Sequence, residues 1–146
     1  MIDKKISIEV MGPIIEETIK QDGTVKLQIS GNSMRPFYIH QETIVCLEKV
    51  HSPLKQFDVV FYRNENEQYL LHRIINIKGS TLVICGDALS QKEYIDESLI
   101  IARVQYHERN GKVTPSSSKR YQMKVKWWNK LSPLRKYLIR FFPYKK

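Results

Sequence analysis

The sequence has few cysteines and no long hydrophobic run. Cys46 and Cys85 stand in no metal-ligand spacing, which argues against a disulfide scaffold or a zinc module. No stretch approaches the roughly 20 apolar residues that a membrane-spanning helix needs. The first 17 residues lack the apolar centre of a signal peptide, because Glu9, Glu16 and Glu17 interrupt it. We therefore expect a protein that is cytoplasmic or peripherally attached to a membrane.

Acidic residues are absent from the end of the chain. Residues 1–118 contain 14 Lys/Arg and 15 Asp/Glu, whereas residues 119–146 contain ten Lys/Arg and no acid. The formal charge of +9 therefore belongs to the tail, although the 146 residues as a whole have the composition of an ordinary globular domain. We predict a domain over 1–113, a polar linker over 114–118 and a basic amphipathic tail over 119–146.

Short hydrophobic stretches separated by turn residues dominate the part before the tail. Val25, Leu27 and Ile29 alternate with polar residues, which is the period of a half-buried strand. A helical rhythm over 5–20 is interrupted at Gly12-Pro13. Further strands are predicted over 43–47, 58–63, 69–77, 81–85 and 99–106. So many short strands with so little helix predict an antiparallel, mainly β domain.

A serine stands on a bend directly after the first strand. In the segment Gly31-Asn32-Ser33-Met34-Arg35-Pro36-Phe37 the glycine ends the strand and the proline fixes a turn. This pattern presents one hydroxyl on a rigid bend instead of burying it in a strand ladder. An ordinary turn with a solvated Ser33 fits the same residues.

A serine nucleophile needs a base, and the sequence offers His72 in an apolar strand. An imidazole titrates near ~6.5, so it can accept a hydroxyl proton at neutral pH. Its second nitrogen needs an orienting partner, usually a carboxylate. Asp87 offers one where the predicted strand over 81–85 ends at a glycine, and Asp96 offers another nine residues later. The alternative is a structural histidine with two solvated aspartates.

The order of these segments resembles a known enzyme family. Residues 31–37 resemble the nucleophile box of type I signal peptidases and the related LexA-type self-cleaving repressors, whose form is S/G-x-S-M-x-P. The later boxes are matched by 57–62, by 71–75 with histidine in place of the lysine base, by 85–96 and by 99–104. The resemblance implies a mainly β, signal peptidase/LexA-like coiled β-barrel catalytic domain with a short N-terminal helix and a C-terminal basic amphipathic helix.

The resemblance also implies an activity. The chain is most similar to the compact, anchorless signal-peptidase-like proteins of bacteria, so we expect a serine endopeptidase that cleaves a peptide or precursor protein without metal or cofactor. Ser33 would be the nucleophile and His72 the general base. Either Asp87 or Asp96 would orient the imidazole. Relatives bind peptide as an added β-strand and prefer small residues before the scissile bond.

The oxyanion hole follows from the same resemblance. The family uses the N–H of its nucleophile, here Ser33, and many members add a hydroxyl two residues earlier. Gly31 occupies that position, so the amide of Asn32 or another backbone N–H would have to serve. The expected oxyanion and substrate-binding set is Ser33, Gly31, Asn32, Met34 and Pro36.

Two other functions share this fold. One is a catalytically silent peptide-binding module. The other is a self-cleaving regulator, which is disfavoured because no helix-turn-helix segment precedes the catalytic region and no Ala-Gly or Cys-Gly dipeptide lies upstream of Ser33.

The tail carries large hydrophobic residues at helical spacing with cations on the other side. Ser132 and Pro133 predict the start of a helix and Pro143 its end. Such a helix either packs on the domain or lies in the plane of an anionic membrane. Nucleic acid is disfavoured, because an apolar stripe does not need phosphate. The expected membrane-binding residues are Trp127, Trp128, Leu134, Arg135, Lys136, Tyr137, Leu138, Arg140, Phe141 and Phe142.

Overall fold

The computed structural model describes residues 8–142. The strands are β1 Val25–Gln28, β2 Ile44–Glu48, β3 Val59–Arg63, β4 Tyr69–Lys78, β5 Thr81–Cys85, β6 Glu93–Asp96, β7 Ile100–Arg109 and β8 Lys112–Pro115. The helices are α1 Ile8–Lys20, α2 Lys119–Lys130 and α3 Arg135–Leu138, with 3₁₀ turns at Glu97–Leu99 and Ile139–Phe141. Across the described residues, no helix has the combination of length and hydrophobicity needed to cross a membrane.

The strands form one antiparallel sheet that curls into a half-barrel, which confirms the predicted mainly β class. The order is β1-β2-β7-β3-β4-β5-β6, and β8 pairs with β7. The ten-residue β7 pairs with β3 along its first half and with β8 along its second half, while β2 lines its other edge. β7 therefore joins the two halves of the sheet, of which one contains β1 and β2 and the other contains β3, β4, β5 and β6.

Both faces of the sheet are covered by hydrophobic side chains. Because successive residues of a strand point to opposite faces, β3 contributes to two cores. Val59 and Phe61 pack with Ile15 of α1, and Val60 and Tyr62 belong to a second core. The other buried members of this second core are Ile74, Leu82, Ile84 and Ile95.

Helix α1 is continuous across the Gly12-Pro13 interruption that the sequence predicts. A Cβ at Gly12 would overlap the Tyr69 ring, so the glycine lets the helix approach β4 closely. Pro13 is exposed and lies near the start of the helix, where the loss of one backbone hydrogen bond is tolerated. Residues 5–7 of the predicted N-terminal helical segment lie outside the described residues.

The polar segment predicted as a linker over 114–118 is ordered structure. Thr114 and Pro115 pair with His107 and Tyr106 in the β7–β8 ladder. The Ser118 hydroxyl then accepts the Tyr121 N–H and caps α2. The tail accordingly begins with a helix attached directly to the sheet.

The tail differs in a second way from the prediction. The helix expected from Ser132 is the short α3, which begins at Arg135 and has no side-chain cap. The longer helix is α2, which the sequence pattern does not indicate because lysines stand on several of its sides. The predicted helix end at Pro143 lies outside the described residues.

Candidate active site

Ser33 lies on a tightly held turn between β1 and β2. Gly31 has a φ of 97°, a left-handed conformation that favours glycine, and its N–H donates to Nδ1 of His40 at 2.7 Å. Met34 is buried in the core with 2% exposure, and its carbonyl accepts the N–H of Tyr38. The turn is thus fixed on both sides, while the half-buried Ser33 hydroxyl has no hydrogen-bond partner within residues 8–142.

The predicted oxyanion residues contribute unequally. Within residues 8–142 the N–H of Ser33 has no acceptor, so it is available to an oxyanion. The N–H of Gly31 is already used by His40. The Met34 side chain is wholly in the core, which corrects its predicted substrate-binding role, since it anchors the turn from below.

Asn32 and Pro36 complete this set. The Asn32 carbonyl accepts from the backbone N–H of Arg35 at 3.4 Å and from its Nε at 3.2 Å. Pro36 follows a cis peptide bond and is half-buried. The contacts between Asn32 and Arg35 close the turn that carries Ser33.

The Ser33 turn rests against the segment that follows β5. The Ser33 carbonyl accepts the Ala88 N–H at 2.9 Å. A Cβ at Gly86 would lie 2.8 Å from the same carbonyl oxygen, closer than backbone atoms tolerate, so only glycine permits this approach. The β4–β5 register, continued one residue beyond its last pair, sets Gly86 opposite His72. The serine turn therefore packs at the strand end that neighbours His72.

His72 is half-buried in β4 and belongs to a short chain of hydrogen bonds. Its Nδ1 lies 3.3 Å from the Tyr62 hydroxyl, and that hydroxyl donates to Oε2 of Glu93 at 2.9 Å. A tyrosine has one proton to donate, so its oxygen accepts the Nδ1–H of His72. The neutral imidazole then carries a bare Nε2, which is the tautomer of a general base. We call this the His72–Tyr62–Glu93 chain.

The environment of the His72–Tyr62–Glu93 chain keeps both His72 and Tyr62 uncharged. Burial lowers the pKa of His72 below the usual 6.5, and the negative charges of Glu93 and Asp87 oppose this shift with a smaller effect. Burial, followed by the charge of Glu93, raises the pKa of the Tyr62 hydroxyl, which therefore keeps its proton. His72 is consequently an uncharged proton acceptor at neutral pH.

The Asp87 carboxylate is turned towards an arginine and not towards the imidazole. Arg73 donates from Nε to Oδ1 and from Nη2 to Oδ2, both at 2.8 Å. The two residues are 2% and 3% exposed. Arg73 also donates to the Phe57 carbonyl and to the Tyr121 hydroxyl. Asp87 therefore acts on His72 through its charge and not through a hydrogen bond.

Asp96, the other predicted orienting residue, lies elsewhere. It is exposed at the end of β6, and its Oδ1 accepts the Ser98 N–H at 2.9 Å. That hydrogen bond lowers the pKa of Asp96 and caps a 3₁₀ turn. Asp96 pairs with Thr81, at the opposite end of β5 from Gly86. The structure does not bring it to His72.

The predicted nucleophile and base are in neighbouring segments, but their side chains form no hydrogen bond with each other in this structure. Sequence reasoning missed Tyr62 and Glu93, which are separated from each other by 31 positions. The one available signal was a tyrosine hydroxyl in an otherwise apolar stretch of β3, because a buried hydroxyl needs a partner.

Two residues of the predicted membrane-binding set are buried instead. Trp128 donates from Nε1 to the Asp87 carbonyl at 2.7 Å, and Nη2 of Arg135 lies 3.2 Å from Sγ of Cys85. Trp128 is 7% exposed and Arg135 4%. The prediction that these two meet a membrane is therefore wrong, because both serve to dock the tail. Leu138 is half-buried, and the exposed members of the set are Trp127, Leu134, Lys136, Tyr137, Arg140, Phe141 and Phe142.

Other candidate sites are weaker. The described residues contain no cluster of three His, Cys, Asp or Glu side chains suited to a metal ion. A cavity of about 250 Å³ is lined by residues that include Glu16, Lys20, Lys49 and Arg63. None of the predicted catalytic residues lines it, so we place the candidate site at the Ser33 turn on chemical grounds.

Comparison of the chain with protein-family models, with characterised proteins and with solved structures gives no match. A function must therefore be inferred from the residues and contacts of this chain.

Proposed function

We propose that this protein is a serine endopeptidase of the signal peptidase type, with the signal peptidase/LexA-like barrel fold, that cleaves a peptide or precursor protein. The observation that carries the proposal is the contact of the Ser33 turn with Gly86 and Ala88 at the strand end beside His72. An unbonded hydroxyl on a fixed turn, close to a histidine held in the base tautomer, has the components that acyl transfer requires.

In the proposed reaction Ser33 Oγ attacks the carbonyl carbon of the scissile peptide bond while Nε2 of His72 takes the hydroxyl proton. The carbonyl oxygen becomes an oxyanion, to which the Ser33 N–H donates. Collapse of this intermediate breaks the C–N bond, and His72 gives its proton to the leaving amine. A water molecule activated by His72 then attacks the acyl ester and releases Ser33. The hydrogen bond between a nucleophile and its general base often tightens only when substrate binds.

In this mechanism Glu93 has the role that the family resemblance gives to an aspartate. Through Tyr62 it fixes the tautomer of His72, and its negative charge favours the imidazolium that forms during attack. Asp87 is a positioning residue, because it binds Arg73 and not a reacting group. Arg73 directly follows His72 in β4, so the ion pair holds the strand that carries the base.

The substrate class follows from the edge of the sheet. Among the strands of residues 8–142, β1 is the first in the sheet order, so no described strand pairs with its outer edge. The chain runs from β1 into the serine turn. An extended peptide can add to such an edge through backbone hydrogen bonds. We therefore propose extended segments as substrates, with small residues before the scissile bond as the resemblance implies.

A mixed library of extended peptides, read by mass spectrometry for new N-termini, tests the proposal. We expect cleavage by the wild-type chain and its loss in Ser33→Ala and His72→Ala. Ser30→Ala is the matched control, because Ser30 is an exposed serine of the same segment. Cleavage that survives Ser33→Ala contradicts the proposal. Peptide binding without cleavage identifies a silent binding module, and cleavage of this chain alone identifies a self-cleaving regulator.

A further inference from the structure

The tail leaves a set of large hydrophobic side chains exposed. They follow one another at spacings of three or four residues, so neighbours in α2 share a helix face. Their exposed fractions run from 37% for Leu131 to 81% for Phe141. We call them the exposed tail face, and its members are Met123, Trp127, Leu131, Leu134, Tyr137 and Phe141.

This exposure does not result from a helix without partners. α2 packs on the domain through Tyr121, Val125 and Trp128, which are all buried. Met123 and Trp127 stand on the other side of the same helix, at 61% and 60% exposure. The helix therefore has two apolar stripes, of which one holds it to the domain and the other faces outward.

The charge around the exposed tail face has one sign. No acidic residue occurs after Glu108, and the exposed cations of α2, α3 and their neighbours form no ion pair with a carboxylate in the described part of the chain. Nζ of Lys130 lies 5.1 Å from the Trp127 ring centre, and Nζ of Lys136 lies 5.1 Å from that of Tyr137. The cations are Lys119, Arg120, Lys124, Lys126, Lys130, Lys136 and Arg140.

We infer that the exposed tail face binds the surface of an anionic lipid bilayer and lies in its plane. Outward aromatic and aliphatic side chains flanked by unpaired cations suit the boundary between lipid headgroups and acyl chains. Nucleic acid would satisfy the cations but not the apolar side chains. A second copy of the face would bring seven cations against seven without a carboxylate, which opposes association.

The same helix connects the lipid surface with the candidate active site. Trp128 donates to the Asp87 carbonyl, and the Tyr121 hydroxyl accepts from Arg73. A bilayer bound to the outward stripe of α2 would thus hold the Ser33 and His72 segments in one orientation to the membrane. This consequence rests on the proposed peptidase function, whereas lipid binding itself does not.

Vesicle binding by the full-length chain tests the inference. We expect cosedimentation with vesicles of phosphatidylcholine and phosphatidylglycerol that weakens at high salt, and little with phosphatidylcholine alone. The chain has two tryptophans, and Trp128 is already buried, so a blue shift of emission on binding reports Trp127. Trp127→Phe should remove that shift.

Two pairs of matched variants separate the surface from general effects. Trp127→Ala should weaken binding to anionic vesicles about ten-fold, while Tyr94→Ala, which removes an aromatic of 62% exposure from β6, should not. Lys126→Glu with Lys130→Glu should weaken binding at least about 25-fold, at about five-fold for each lysine. Lys78→Glu with Lys112→Glu changes the net charge equally at exposed strand ends and should have a much smaller effect.

Several results would overturn the inference. These are equal binding to both vesicle types, no binding to either, equal effects of the two charge-reversal pairs, or no difference between Trp127→Ala and Tyr94→Ala. Binding to a duplex DNA without binding to vesicles, or a dimer that Trp127→Ala dissociates without vesicle binding, would assign the surface to another partner. Circular dichroism melting of each variant checks that the fold is kept. A peptidase-inactive Ser33→Ala chain should bind vesicles as the wild type does, so the two proposals fail separately.

Discussion

Arg73 and Asp87 form a buried ion pair with two hydrogen bonds of 2.8 Å each. Burying two charges costs free energy unless their remaining donors and acceptors are satisfied. Here Arg73 also donates to the Phe57 carbonyl and the Tyr121 hydroxyl, and its guanidinium carbon lies 5.4 Å from the centre of the Phe37 ring. The pair thereby joins β4, the segment after β5 and α2, and it fixes Gly86 and Ala88 against the serine turn.

Removal of the Asp87 charge should strongly destabilise the fold. Asp87→Asn leaves Arg73 buried without its counter-ion, which we expect to lower the free energy of unfolding by about 3–5 kcal/mol in urea titrations. The control is Asp22→Asn, which removes the exposed 3.4 Å ion pair with Lys49 and should cost less than about 1 kcal/mol. Similar losses in the two variants would mean that the buried pair does not organise the site.

The pH dependence of cleavage should report His72. Because burial lowers its pKa, the fraction of neutral imidazole, and with it kcat/KM, should rise through a midpoint below about 6.5. Glu93 raises the pKa of His72, so Glu93→Gln should shift this midpoint to still lower pH. Asp96→Asn, at an exposed carboxylate remote from the site, should leave it unchanged. A midpoint that follows Asp96 and not Glu93 would contradict the His72–Tyr62–Glu93 chain.

The absence of a side chain at residue 86 should matter for activity. In Gly86→Ala the new Cβ would lie 2.8 Å from the Ser33 carbonyl oxygen, so the serine turn must move, and we expect kcat/KM to fall by about 10²-fold. Gly79→Ala is the control, since Gly79 has a φ of 63° and open space around it. It should lose about 1 kcal/mol of stability and keep its activity. Full activity in Gly86→Ala would separate residue 86 from catalysis.

The fold was predictable where alternation of polar and apolar residues was strong. Val25 and Leu27 alternate with polar residues, and β1 forms there. β6 was missed because Glu93 and Asp96 give a four-residue strand the composition of a loop. β8 was missed because it ends at Pro115, which no central strand would tolerate.

The site was predictable only in the parts that are local in sequence. The bend at Ser33 and the base at His72 stand out in their own segments. The hydrogen-bond partners of His72 and Asp87 do not stand out in the sequence, because the way β3, β4 and β6 are arranged in the sheet determines them. No short stretch of sequence shows that the Tyr62 hydroxyl donates a 2.9 Å hydrogen bond to Glu93. Nor does it show that Arg73 donates to both carboxylate oxygens of Asp87.

His107 should make the stability of the protein fall in mild acid. It is buried between the rings of Tyr38 and Tyr121, and burial together with the charge of Arg73 lowers its pKa to about 4. Between about pH 4 and 6.5 the unfolded chain binds a proton that the folded chain does not. The contribution of His107 to the free energy of unfolding is therefore complete above about pH 6.5. It is lost as the pH falls towards 4, by up to about 1.4 kcal/mol per pH unit.

Urea titrations at several pH values measure this slope. His107→Gln should reduce it, although the lowered pKa of His72 adds a smaller contribution of the same sign. His51→Gln, at an exposed loop position, should leave the slope unchanged. An unaltered slope in His107→Gln would show that other groups cause the acid sensitivity.

Capture of an acyl-enzyme tests the proposed peptidase activity most directly. An activated ester of a short peptide ending in alanine is mixed with the full chain, and the intact mass and the modified tryptic peptide are recorded over time. We expect one acyl group per chain, attached to Ser33, with a rate that rises as His72 loses its proton and that collapses in His72→Ala. Acylation that is unchanged in Ser33→Ala, or no acylation at any pH, would contradict the proposed activity.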